Sequence, residues 1–110
     1  MIGQLDKAVQ AHLLYDCYSS MLTERQRETF ELHYFEDFSL AEIADRLSIS
    51  RQAVHDIVHR TVSQLTDFED KLHLLDSLLK RHDTLQKLQA RLTYLGIHDD
   101  PINQLMNELL

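Results

Sequence analysis

The fold is decided by residues 38–59, FSLAEIADRLSISRQAVHDIVH. Ser39 and Glu42 have the spacing of a capping box, in which the serine hydroxyl and the glutamate carboxylate each bond to a free backbone N–H at a helix start. A helix is therefore predicted to begin near Leu40. Apolar side chains at helical spacing predict its buried face, which comprises Leu40, Ile43, Ala44 and Leu47.

A second helix is predicted after a short turn, Ser48-Ile49-Ser50. Ser50 is expected to cap this helix, and Ile49 to fill the angle between the two helices. Ser48 stands where a residue of positive φ is expected, and Ala44 where closely crossing helices leave room for little more than a methyl group. Such a pair is a helix-turn-helix. The second helix should turn Ala53, Val54, Ile57 and Val58 inward and Arg51, Gln52, His55, Asp56 and His59 outward.

The composition indicates an all-α protein. The 110 residues include two Gly and one Pro, whereas strands and tight turns need more of both. This length suits one domain, or one domain with a helical extension. The sequence shows no signal peptide and no membrane-spanning stretch, which predicts a cytoplasmic protein without membrane insertion. The lone cysteine, Cys17, is expected to be a small buried hydrophobic residue.

The charge distribution limits any nucleic-acid function. The net charge is −7, of which residues 1–38 contribute −4, residues 39–60 zero and residues 61–110 −3. Tight DNA-binding domains usually carry a basic surface that displaces counterions from phosphates. The helix-turn-helix is thus the least acidic part of the chain without being basic. We expect weak or partner-assisted DNA binding rather than strong autonomous binding.

Two further helices are predicted before this unit. The first covers residues 5–18, and the second begins at another capping box, Thr23 to Gln26, and ends near Phe35. The buried face of the first is predicted to comprise Leu5, Val9, His12 or Leu13, and Cys17. The bulky side chains of the second are Phe30, Leu32 or His33, and Tyr34.

After Ser50 the apolar pattern continues well beyond an ordinary recognition helix. Its members alternate spacings of four and three and form a heptad stripe: Val54, Val58, Thr61, Leu65, Phe68, Leu72, Leu75 and Leu79. A continuous helix to Arg81 would have about 30 residues and extend about 45 Å, too far to hide its stripe within so small a domain. A new helix capped at Thr66 is the alternative, and a capping pattern from Asp83 to Gln86 predicts a break at Arg81-His82.

The end of the chain predicts two more helices. One carries Leu85, Leu88, Leu92 and Leu95 on one face and stops at Gly96. The other is predicted to start with Asp100 as cap and Pro101 in the first turn, and carries Ile102, Leu105, Met106 and Leu109. These faces together exceed what one helical arm can cover, which predicts that the C-terminal helices pack against each other and against a second copy of the chain in a symmetric homodimer. We therefore expect a helix-turn-helix domain over residues 1–65 and a helical dimerisation or packing extension over residues 66–110, together in one compact unit.

The sequence gives no sign of catalysis. His55 and His59 are four residues apart, which suits a metal, but the glutamate of a metalloprotease motif is missing and no third ligand is evident nearby. Gly-rich phosphate loops are absent, and no Ser or Cys stands in a nucleophile context. We predict neither an enzyme nor a bound metal or cofactor.

Three segments carry a family resemblance: YFEDFSLAEIA over residues 34–44, ISRQAV over residues 49–54 and FEDKLH over residues 68–73. Together they resemble the YlxM family, small bacterial proteins often encoded beside components of the signal recognition particle. Residues 23–65 also resemble region four of bacterial sigma factors. These resemblances imply an all-α protein with a sigma-region-four-like helix-turn-helix bundle, a long fourth helix and a C-terminal helical extension. They imply a regulatory role in the signal recognition particle pathway and no catalysis.

The sequence is compatible with two functions. In the first, the chain is a transcription regulator whose second motif helix enters the major groove of DNA. Arg51 and Gln52 would then contact base edges, while Asp56 would repel phosphate unless it accepts from cytosine. The candidate nucleic-acid-binding residues are Arg46, Arg51, Gln52, His55, His59 and Arg60. In the second, the chain is an accessory module that binds the protein or RNA of the signal recognition particle without contacting DNA.

Overall fold

The computed structural model describes residues 2–110 and, within that range, contains helices and no strands. The all-α prediction is confirmed. The α-helices of residues 2–110 are α1 (Lys7–Tyr18), α2 (Glu24–Tyr34), α3 (Leu40–Leu47), α4 (Arg51–Leu72), α5 (Leu74–Tyr94) and α6 (Asp100–Leu109). Two short 3₁₀ turns, Ile2–Gln4 and Ser19–Met21, flank α1.

The predicted capping residues start α2, α3 and α4. The Gln26 backbone N–H donates to Thr23 Oγ1 over 3.2 Å and the Thr23 N–H donates to the Gln26 side chain over 3.0 Å. Ser39 and Glu42 exchange the same pair of bonds at 3.1 Å each, and the bond from the Ser39 N–H lowers the pKa of Glu42. Ser50 accepts from the Ala53 N–H at 3.0 Å. Each cap satisfies backbone donors that a helix start leaves free.

The core consists of two neighbouring clusters. The first joins α1, α2, α4 and α5, and in it the Phe30 ring stacks on Tyr15 and Tyr34 at centroid distances of 4.5 and 4.4 Å. Its buried members are Ala11, Leu14, Tyr15, Tyr18, Leu22, Phe30, Leu65 and Leu75. The second holds the helix-turn-helix together, and its buried members are Leu32, Ile43, Ala44 and Val54.

The core-facing side of α1 differs from the predicted one. The buried residues are Ala11, Leu14, Tyr15 and Tyr18. Val9, which was predicted to be buried, is 46% exposed, and Cys17 is only half-buried at the edge of the first cluster. The prediction weighted aliphatic side chains, whereas two of these four buried residues are tyrosines. Burial of the ring and then a hydrogen bond to Glu69 raise the pKa of Tyr18 to about 12.

Helix α4 ends at Leu72, which corrects the predicted continuous helix to Arg81. His73 adopts φ 53° and ψ 28°, and α5 begins at the next residue. The predicted break at Arg81-His82 is also wrong, because α5 runs through it. Asp83 lies inside α5 and forms an ion pair with Lys87 at 2.9 Å. The alternative cap at Thr66 is wrong too, since its hydroxyl donates to the Val62 carbonyl within α4.

The break at His73 has a tertiary cause. Glu69, buried in the last turns of α4, accepts hydrogen bonds from the Tyr18 hydroxyl at 2.6 Å and from the backbone N–H groups of Leu75 and Asp76 at 2.9 and 3.0 Å. The carboxylate thus caps α5 from the preceding helix. The first part of the predicted heptad stripe needs no second chain to cover it, because Val54, Thr61 and Leu65 are fully buried within one chain.

The last two helices form an arm. Gly96 has φ 73°, its N–H donates to the Thr93 carbonyl and the Ile97 N–H donates to the Leu92 carbonyl, which is the predicted left-handed cap. The cap of α6 is Asp99, one residue earlier than predicted. The radius of gyration is 18.6 Å, whereas a compact domain of this length has about 13 Å. Among residues 2–110 there is no helix long and apolar enough to cross a membrane.

Candidate nucleic-acid interface

The α3–α4 unit has the geometry of a helix-turn-helix. Ser48 takes the predicted positive φ, 58°, and the Ile49 N–H donates to the Ala44 carbonyl at 3.1 Å. Val54 is fully buried in the second cluster, with Leu47 and Ile49 packed against that cluster. Ile57, predicted to press on α3, is half-buried and lies outside both clusters. The turn therefore fixes the first half of α4 against α3 and leaves the opposite face of α4 open to solvent.

The predicted site residues are all exposed: Arg46, Arg51, Gln52, His55, His59 and Arg60. Five of them lie on the first half of α4, although Arg51 and Arg60, about two and a half turns apart, point to opposite sides of the helix. Arg46 does not join them. Its guanidinium lies 5.6 Å from the centre of the Phe38 ring and borders a groove formed mainly by α2. The structure thus brings His55 and His59 together on α4 and separates Arg46 from the α4 residues.

Asp56 is engaged by its neighbours on the α4 face. Gln52 Nε2 donates to Asp56 Oδ1 at 2.9 Å, and His55 Nδ1 lies 3.6 Å from the same oxygen. A carboxylate on a DNA-facing helix repels phosphate. The two contacts partly satisfy the hydrogen-bonding capacity of the Asp56 carboxylate and fix the Gln52 side chain. Arg51 and Arg60 carry permanent positive charge on this half of α4, and Arg60 borders a groove that Asp56 and Asp67 also line.

The two α4 histidines lie side by side. The rings of His55 and His59 are parallel to within 3°, with centroids 6.2 Å apart. They border a groove of about 220 Å³ that His33 and Tyr34 of α2 also line. His33 is tied to its own loop, because its Nδ1 lies 3.1 Å from the Phe38 carbonyl oxygen. Within the described part of the chain, no three His, Cys, Asp or Glu side chains are grouped to hold a metal ion.

The sequence did not reveal two features around this face. Gln26 Nε2 donates to Gln64 Oε1 at 2.9 Å and links α2 to α4. This bond joins residues far apart in the chain and has no local signal. On the other side, a groove of about 410 Å³ is lined by Arg27, Leu32, Arg46 and four acidic side chains: Glu24, Glu28, Glu31 and Glu36. The spacing of Glu24, Glu28 and Glu31, by four and then three residues, was a signal in the sequence for that groove.

Comparison with known proteins identifies the family. Residues 5–105 match the family described as "Putative helix-turn-helix protein, YlxM / p13 like". The chain belongs to the YlxM/p13-like family. This confirms the resemblance to the YlxM family, and the match spans the helix-turn-helix as well as the arm. The family is defined by its helix-turn-helix and not by an enzymatic activity.

Several relatives are similar over most of their length. A UPF0122 protein of Halalkalibacterium halodurans is 47% identical over 85 residues, which cover 77% of this chain and 78% of the relative. A UPF0122 protein of Anoxybacillus flavithermus is 39% identical over 105 residues and 96% of each chain. One from Oceanobacillus iheyensis is 40% identical over 95 residues, 86% of this chain and 90% of the relative. The arm is therefore part of what this chain shares with its relatives.

Proposed function

We propose that this protein is a DNA-binding regulator that inserts the first half of α4 into the major groove. The observation that carries the proposal is the open outer face of α4, held at a fixed angle by a closed α3–α4 core. Arg51 and Gln52 stand at the start of the helix, where recognition helices meet base edges. His55, His59 and Arg60 follow one and two turns later.

We further propose that the regulation concerns the signal recognition particle pathway in the cytoplasm. The support is the YlxM resemblance carried by residues 34–44, 49–54 and 68–73. The resemblance of residues 23–65 to sigma factor region four supports DNA as the ligand. The neutral charge of residues 39–60 supports weak or assisted binding rather than tight binding.

Pairing of two chains through the predicted extension, residues 66–110, which contains the arm formed by α5 and α6, is the second part of the proposal. A dimer carries two helix-turn-helix units, which contact DNA together and compensate for the weak contact that each unit makes alone. The arm offers an apolar surface for pairing. Its exposed members include Leu78, Leu88, Leu95, Ile97, Leu105 and Leu109. A groove of about 320 Å³ between α1, α5 and the end of α6 continues this surface.

The homodimer predicts a mass in solution of about twice the 12.9 kDa of one chain at micromolar concentration. Light scattering after size-exclusion chromatography measures it. Leu105→Glu places a charge on the exposed side of α6 and should shift the mass toward one chain, whereas the neighbouring Gln104→Glu should not. A monomeric wild-type chain would contradict the dimer.

An accessory module is the second candidate. The groove lined by Glu24, Glu28, Glu31 and Glu36 favours it, because four carboxylates attract a basic protein surface and repel nucleic acid. Under this proposal the partner is the protein or structured RNA of the particle, and the α4 face is an ordinary solvated surface.

Retention of genomic DNA fragments at about 50 and 200 mM salt, beside binding to the particle's protein and RNA, tests the two candidates. Arg51→Ala should weaken retention by about 5- to 150-fold, the effect of losing one base or phosphate contact. Arg91→Ala removes the same charge from α5 and is the matched control. Particle binding without retention of any fragment at low salt would exclude the regulator, and equal effects of the two variants would exclude α4 as the contacting helix.

A further inference from the structure

The junction between α4 and α5 consists of a single residue in an unfavourable backbone conformation. His73 is both the last cap of α4 and the first of α5, with φ 53°, and its side chain bonds to neither helix end. Side chains other than glycine adopt this left-handed region at a cost, and glycine is the usual residue there. Something other than local preference must therefore hold the chain bent at His73.

Two buried side chains hold it, Tyr18 from α1 and Glu69 from the last turn of α4. The three N–H groups that open α5 bond to side chains instead of to the carbonyls one turn earlier: Leu74 to the Tyr18 hydroxyl at 3.2 Å, and Leu75 and Asp76 to the Glu69 carboxylate. The Tyr18 hydroxyl in turn donates to Glu69 at 2.6 Å. Tyr18 is 1% exposed and Glu69 6%. We call this pair the latch.

The sequence across the bend is that of one uninterrupted helix. Leu65, Phe68, Leu72, Leu75 and Leu79 keep the alternating spacing of a heptad stripe through His73 without an insertion. In the bent chain one member of this stripe is left out of the core. Leu65 and Leu75 are buried in the first cluster and Phe68 and Leu79 pack against it, whereas Leu72 is 57% exposed. Local sequence thus favours a straight helix, and tertiary contacts favour the bend.

We infer that the Tyr18–Glu69 latch selects between two folded states, the bent one described above and a straight one in which α4 and α5 merge into one helix over residues 51–94. In the straight state the amides of residues 74–76 bond to carbonyls one turn earlier, and His73 returns to helical geometry. Leu75 leaves the first cluster, and the arm moves away from α1. The switch does not depend on DNA binding. In a dimer paired through the arm, the bend angle would set the separation of the two α4 faces.

Spin labels at Ser63 and Gln89, both exposed, report the bend by double electron–electron resonance. The full chain is used with Cys17→Ala and an excess of unlabelled chain, so that only distances within one chain appear. A straight helix separates the two backbone positions by about 39 Å, and any bend makes the separation shorter. The wild type should give the shorter distance.

Variants at the hinge and the latch then separate the two states. His73→Ala makes the left-handed residue costlier and His73→Gly makes it cheaper, while the side chain at this exposed position touches no core. Glu69→Gln weakens the latch. Asp70→Asn, on the exposed side of α4, removes one negative charge as well but leaves the latch intact. Glu69→Gln combined with His73→Ala should raise the ratio of long to short distances at least about tenfold, which is the loss expected for one charged hydrogen bond. His73→Gly and Asp70→Asn should keep the wild-type distance.

Two results would overturn the switch. In the first, the combined variant keeps the short distance of the wild type. In the second, it loses its helical circular dichroism, because a chain that unfolds when the latch is weakened has no second folded state. His73→Ala alone, which leaves both latch residues in place, should still raise the long-distance fraction above that of His73→Gly.

Discussion

Replacing Phe30 with alanine is expected to lower the free energy of unfolding by about 3–5 kcal/mol, the cost of removing a buried aromatic ring and leaving a cavity. Phe30 is fully buried in the first cluster and stacks on two tyrosines. A loss of this size is a large part of the stability of a small domain. The urea midpoint, followed by far-ultraviolet circular dichroism at one fixed protein concentration, measures it.

Phe35→Ala is the matched control. Phe35 contacts the same aromatic group edge-on, with its ring centroid 5.9 Å from that of Phe30, but it is 44% exposed. Truncating a half-exposed ring leaves no closed cavity, so the loss should be clearly smaller. If both variants shift the midpoint equally, Phe30 is not the centre of the first cluster.

The second large effect is expected from Ala44→Leu. Ala44 is buried where α3 crosses α4 and belongs to the second cluster, which also contains the fully buried Ile43 and Val54. Three extra carbons at this crossing must displace one helix, which typically costs about 1–3 kcal/mol. Because the two helices must move apart, DNA retention should fall as well, even though no surface charge changes.

Ala41→Leu gives the control for helix propensity. Ala41 lies in the same helix on the exposed side, and alanine and leucine differ little in their preference for a helix. This variant should change the free energy of unfolding by less than about 0.5 kcal/mol. Equal stability of Ala44→Leu and the wild type would show that the α3–α4 crossing is looser than its buried alanine indicates.

Features with a local cause could be predicted from the sequence. The starts of α2, α3 and α4 follow from serine or threonine caps that bond within three residues, and the structure contains each of these bonds. Gly96 ends α5 for an equally local reason. Helical periodicity also predicted the exposed residues at the start of α4, which are Arg51, Gln52, His55, Asp56 and His59.

Features with a tertiary cause could not be predicted. The end of α4 depends on Glu69, which bonds to Tyr18 of α1, 51 residues earlier in the chain. A heptad pattern carries no information about that partner, so the stripe indicated a longer helix. Asp83 and Gln86 matched a capping box by spacing alone, yet this segment lies inside α5.

The candidate site was predicted as a set of exposed residues but not as an arrangement. The pattern placed Arg46 with the α4 residues, whereas the structure places it at the acidic groove of α2. The Gln52–Asp56 bond is a choice of rotamer that spacing permits without requiring. The side of α3 that meets α2 depends on how the second cluster packs. The residue pattern of a single helix does not determine that packing.

Nuclear magnetic resonance of the ¹⁵N-labelled chain, titrated with a short duplex from a retained genomic fragment, tests the central claim most directly. If the outer face of α4 contacts DNA, the backbone amides of Arg51, Gln52, His55 and His59 should shift, while those of the acidic α2 groove and of α5 and α6 should not. Shifts confined to α2 or to the arm, or no shifts at any ratio of DNA to protein, would contradict it.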